Sequence, residues 1–205
     1  MGNNVPGVRA AGLLALFAII GAGLVAVIHT LTEDRIATNE YNRLLRNLSA
    51  VLPPDRYDND PVTDYLDLHD PELLPPEGRT RVYRAFRKGR PMAAAFLIVA
   101  PDGYNGAIRL LMAVNRDGTV ASVRVLHHKE TPGLGDGIEA SKSDWITGFT
   151  GAGPDRPDEA GWKVKKDGGQ FDQFTGATIT PRAVVAAVHR GVRLFRKHQA
   201  ALFPE

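Results

Sequence analysis

The chain has 205 residues, with 25 Lys and Arg against 23 Asp and Glu and a formal net charge of +2. That near balance gives no case for a nucleic-acid partner, which calls for basic residues gathered on one face. There is no cysteine, which excludes thiolate-held iron–sulfur clusters, thiolate zinc sites and thiol catalysis within the chain.

Residues 10–32, AAGLLALFAIIGAGLVAVIHTLT, carry no formal charge. At ~1.5 Å rise per residue, a run of this length crosses a bilayer core. A cleaved signal peptide is the competing reading. Its apolar core is ordinarily shorter, and no small-x-small site precedes a polar start here, so a retained transmembrane helix is preferred. Arg9 stands before the run and the acidic pair Glu33–Asp34 after it. The positive-inside rule then leaves residues 1–9 in the cytoplasm and the rest of the chain outside it.

Beyond the anchor, Ile36, Tyr41, Leu44, Leu45, Leu48 and Val51 fall at helical spacing and predict a connecting helix. Pro53 and Pro54 stop it. An acidic, proline-rich loop follows and completes a connecting region over 33–79. From residue 80 the period changes. Stretches 81–87, 92–100, 107–114 and 119–127 predict strands, punctuated by the turn sequences KGRP, PDGYNG and NRDG. A four-strand antiparallel meander is the economical arrangement. Then come a glycine-rich loop, a short helix near 141–149, a second loop and a last helix. The predicted class is α+β: an antiparallel sheet with flanking helices over 80–205, plus one N-terminal transmembrane helix.

The last helix is preceded by FDQFTGATIT, residues 171–180. Thr180 followed by Pro181 reads as a helix start, with a hydroxyl at N-cap and proline at N1. Val184, Val185, Val188, Val192 and Phe195 supply its apolar stripe. Thr175 and Thr178 are not needed for capping. Beside Gly176 and Ala177 they sit where unpaired N–H groups and the helix dipole favour an anion, although a polar loop with local hydroxyl–backbone bonds would account for them too.

The run Asp172-Gln173-Phe174-Thr175-Gly176-Ala177-Thr178 resembles the signature of proteins that carry flavin mononucleotide (FMN) covalently, through its phosphate, on a threonine hydroxyl. The resemblance implies that Thr178 is esterified, by a flavin transferase with FAD as donor. It makes Asp172, Thr175, Gly176 and Ala177 the rest of the recognition sequence. A second stretch, HHKETPGLGDGIEASKSDWITGF at 127–149, is similar to the same domain's ETPGLG loop. It lacks the dinucleotide order of glycines; Gly133, Gly135 and Gly137 would let backbone approach a ligand. By resemblance Glu130, Thr131, Leu134 and Gly135 belong to the flavin site, with Leu134 against the ring. Trp145 is read either as a ring neighbour or as a core tryptophan. Lys166 is read either as a cation reaching the flavin or as a solvated lysine. His127 and His128 are adjacent on a strand and so point to opposite faces, which disfavours a shared metal site. No metal ligand and no catalytic triad or carboxylate pair is assigned.

Anchor, connecting helix and flavin domain together resemble the G subunits of the Rnf electron-transport complex and, less closely, the C subunits of the sodium-translocating NADH:quinone reductase. The resemblance implies a single-pass protein of the bacterial inner membrane with its domain on the periplasmic side. It implies an electron-transfer subunit without turnover of its own. Its partners would be the other subunits of a complex coupling NADH–ferredoxin electron flow to ion movement. A non-redox anchored binding or scaffold module is the alternative from a different class.

Overall fold

Apolar periodicity and turn chemistry build this chain as two units, which divide between Leu44 and Leu45. The computed structural model describes residues 5–204; residues 1–4 of the N-terminal segment lie outside them. Helix α1 runs Val5–Ser49 without interruption. The sequence predicts an anchor and a separate connecting helix. The two are one helix because no glycine or proline interrupts the chain between Gly23 and Pro53. Within α1, Gly7–Glu33 has a mean hydropathy of 2.7 and none of its most apolar window is buried. That is long and apolar enough to span a membrane. Thr30 and Thr32 bond back to carbonyls of the preceding turn, which satisfies their hydroxyls inside an apolar stretch.

The second unit holds a five-stranded antiparallel sheet in the order β1-β2-β3-β4-β5. Its strands are β1 Tyr65–His69, β2 Arg79–Arg87, β3 Arg90–Ala100, β4 Ile108–Asn115 and β5 Val120–His127. The last four match the predicted meander. The first lies in the stretch read as acidic loop, where Leu66 and Leu68 alternate with Asp67 and pair with Val82 and Thr80. Only half-buried, it edges the sheet with charge, which blunts further strand pairing.

Both faces of the sheet are covered, so β3 and β4 are buried at consecutive positions rather than alternate ones. Helix α2, Ile179–Leu202, lays its valine stripe across one face. There a Cβ on Gly191 would come within 2.5 Å of Met112 Sδ and 3.4 Å of Ile98 Cγ2, so the helix approaches as closely as glycine permits. On the other face Val51 and Leu52, 1% and 3% exposed, sit with Ala85 and Ala93. The far end of α2 is pinned by Asp70, 3% exposed, which accepts from Lys197 Nζ at 2.8 Å and binds His198 Nε2 at 3.0 Å. Burial works to raise the Asp70 carboxyl, but the Lys197 and His198 hydrogen bonds, the Leu73 N–H and the Lys197 charge outweigh it and hold it far below the ordinary carboxylate range. The predicted short helix near 141–149 is a 3-10 turn at Trp145–Phe149.

Candidate functional site

After β5 the chain makes a loop whose conformation is set by its own polar groups. Asp136, 6% exposed, accepts the Gly133 N–H at 2.8 Å and the Lys142 ammonium at 2.7 Å. The Lys142 bond and then the Gly133 bond hold its carboxyl below the usual range. His128 lies just past the strand. Its Nδ1 accepts the Glu130 N–H at 3.0 Å, which leaves the ring proton on Nε2, 2.9 Å from Glu139 Oε1. That bond, followed by the one from Lys142, lowers the Glu139 carboxyl. The loop is therefore built before any ligand arrives.

The threonine segment is shaped by a turn. The Ala177 N–H donates to the Phe174 carbonyl at 3.1 Å, and Gly176 at the third position has φ +78°. This is the type II arrangement, which requires positive φ there and explains the glycine. The chain then enters α2 at Ile179, with Thr178 at the N-cap. The start lies two residues before the one predicted. Thr178 takes the cap position through its backbone, its carbonyl accepting the Arg182 N–H at 3.2 Å, while its side chain makes no capping bond. Thr180 is not the cap: it is 1% exposed and donates its hydroxyl to Glu130 Oε2. Proline is tolerated at 181 because the first-turn N–H groups have no helical acceptor.

The sheet and α2 bring the two segments together around one cleft of about 340 Å³, within the ~300–1,000 Å³ range of small-molecule pockets. Glu130, Thr131, Leu134 and Gly135 form one wall; Gly176, Ala177 and Thr178 form the other. Tyr104, Ile179 and Thr180 complete it, and sequence reasoning assigned none of these three to a ligand. Tyr104 comes from PDGYNG, legible only as a turn. Tyr104, Leu134 and Ile179 are 65%, 49% and 45% exposed, an apolar rim at the cleft mouth. The Thr178 hydroxyl, at the edge of the cleft, has no hydrogen-bond partner among the described residues.

Not every predicted site residue converges there. Trp145 and Asp172 line a neighbouring, wider cleft of about 590 Å³. Trp145 Nε1 donates to the Asp172 carbonyl at 2.7 Å, and the Asp172 carboxylate pairs with Lys165 at 2.7 Å. Lys166 is not among the cleft residues; its N–H donates to the Gln173 side chain at 3.2 Å. Thr175 is exposed on the turn. The glycines also divide. Gly133 has φ +77°. Gly135 instead faces inward, where a Cβ would meet Thr180 Oγ1 at 2.8 Å and Glu130 Cβ at 3.0 Å, and Gly137 faces the Phe174 ring at 3.0 Å. Bulk at 135 would push on Thr180 and Glu130 within the cleft wall.

The residues fit FMN on four counts: cleft size, an apolar rim for a planar ring, a free threonine hydroxyl, and a helix N-terminus whose dipole favours a phosphate. Comparison with known proteins agrees. A family model described as an FMN-binding domain matches residues 103–193, and one described as the RnfG N-terminal region matches residues 4–51. A protein of Cereibacter sphaeroides is 50% identical over 93% of this chain and 84% of its own length. One of Shewanella oneidensis is 46% identical over 98% and 95%; one of Pseudomonas aeruginosa is 48% identical over 95% and 91%. Each is named as the G subunit of an ion-translocating oxidoreductase complex.

Proposed function

The chain belongs to the G-subunit family of ion-translocating oxidoreductase complexes, and from that premise we propose that it relays electrons through FMN esterified to Thr178. The observation that carries this reading is the convergence of ETPGLG and TGAT on one cleft, with the Thr178 hydroxyl unpaired at its edge. FMN would supply reversible electron transfer at its ring. The chain's own residues bind and orient. Thr178 offers the oxygen for the phosphoester, and the α2 N-terminus stabilises the charge that the phosphodiester keeps. Leu134, Ile179 and Tyr104 would offer the ring apolar surface. In attachment, the Thr178 oxygen would take the FMN phosphoryl group of FAD, with AMP as the leaving group and the hydroxyl proton going to solvent. A flavin transferase is the partner that this step requires.

The other partners are the remaining subunits of the complex, which on this reading couples NADH–ferredoxin electron flow to ion movement. The intact mass of protein purified from its native membrane tests the reading. An added mass of one esterified FMN, with an ultraviolet-fluorescent band on a denaturing gel, supports it. An unmodified mass from cells that contain the transferase favours a non-redox anchored module.

The same reading places the second unit outside the cytoplasm, on the periplasmic side of the inner membrane. It rests on Arg9 before the apolar stretch and the acidic residues after it. A reporter that works only after export, fused to the C-terminus, is expected to be active. Activity of a reporter that works only in the cytoplasm would reverse the topology.

A further inference from the structure

Glu130 is 4% exposed, yet its carboxylate forms part of the cleft wall. It accepts from the Asn105 N–H at 3.0 Å, the Tyr104 N–H at 3.3 Å and the Thr180 hydroxyl. All three donors are neutral. No lysine, arginine or histidine lines the cleft among the described residues, and Glu130 enters none of the ion pairs among them. A buried carboxylate is ordinarily paired with a cation; this one is held in place by three neutral donors and by no ion pair among the described residues. The holding is specific, because it joins the 104–105 turn, the ETPGLG loop and the first turn of α2 at a single side chain.

We propose that Glu130 is a positioning and potential-setting residue, whose fixed negative charge makes the cofactor in this cleft harder to reduce and hence a stronger reductant. The inference rests on the reading that FMN occupies the cleft. Reduction adds electron density to the ring, and a nearby anion opposes that addition. Glu130 lines the same cleft as Thr131, Leu134 and Thr178, so a ring held here lies close enough for one charge to act on it through a partly desolvated interior.

The test is a redox titration of the full chain carrying its flavin. Glu130→Gln preserves shape and one of the two acceptor oxygens while removing the charge. Its reduced-to-oxidised ratio at a given applied potential is expected to rise at least about tenfold, equivalent to about 30 mV for a two-electron couple. Thr180→Val keeps the carboxylate and removes one of its three bonds; its potential should stay below that of Glu130→Gln. Leu134→Lys, on the exposed rim, adds a cation without touching the bonds to Glu130 and should shift the potential in the same upward direction, even if Glu130→Gln fails to fold. An unmoved or lowered potential in flavin-bearing Glu130→Gln or Leu134→Lys overturns the proposal. So does an equal rise in Thr180→Val, which would assign the effect to loop geometry instead of charge. Flavin still esterified in Thr178→Val would sink the cleft assignment itself, a failure visible by mass before any titration.

Discussion

Thr178→Val is expected to remove covalent flavin completely while leaving the fold nearly unchanged. Valine keeps the β-branched shape but has no oxygen to esterify. The hydroxyl makes no capping bond, so its loss should cost less than the ~1 kcal/mol that removal of a working N-cap does. Thr180→Ala has the opposite profile. It takes a donor from the buried Glu130 carboxylate, a loss of about 1–3 kcal/mol, with flavin retained. Thr175→Ser, on the exposed turn, keeps a hydroxyl at that position and should leave the proposed attachment intact. Intact mass and thermal unfolding of the three variants give the result directly. Flavin retained in Thr178→Val and lost in Thr180→Ala would move the attachment point two residues along and remove the account of the cleft.

The contrast between these two threonines shows where sequence reasoning reaches its limit. Thr-Pro is a good local signal for a helix start, and it predicts Thr180 as the cap. What displaces that prediction is Glu130, 50 residues away in the chain, which draws the Thr180 side chain into the interior. The cap position then falls to Thr178. No local pattern contains that contact. Strands β2 to β5 were legible because their apolar runs are long and their turns carry glycine; β1 was not, since Asp64, Asp67 and Asp70 mask a strand whose two leucines are only half-buried. The boundary expected near residue 33 is a change of polarity, not of backbone conformation, and nothing in the chain breaks the helix there. At the site, the two motifs were legible separately because each has its own sequence signature. Their meeting, and the arrival of Tyr104 from the β3–β4 turn, depend on sheet order and are visible only in three dimensions.

The aromatic residues around the threonine segment were legible singly, and their arrangement carries the other large expected effect. Phe149 is fully buried. It stacks on Phe171 at 4.7 Å between ring centroids and meets Trp145 edge-on at 5.3 Å. Trp145 in turn meets Phe174 at 5.3 Å, and Phe171 meets Trp162 at 5.4 Å. Phe149 thus meets one end of the segment 171–174 directly and the other through Trp145, and that segment leads into the TGAT turn. Phe149→Ala is expected to cost about 3–5 kcal/mol, combining lost burial with a cavity that rigid neighbouring rings cannot fill. At about 2–4 °C per kcal/mol for a unit of this size, thermal unfolding of the full chain in detergent should fall by roughly 6–20 °C. Phe149→Leu should recover more than half of that loss by refilling the space. Because Phe149 and Phe171 are in contact, Phe171→Ala added to Phe149→Ala should cost clearly less than the sum of the two. A loss below about 1 kcal/mol, or strict additivity of the pair, would mean that the segment leading to Thr178 is held by something other than this cluster.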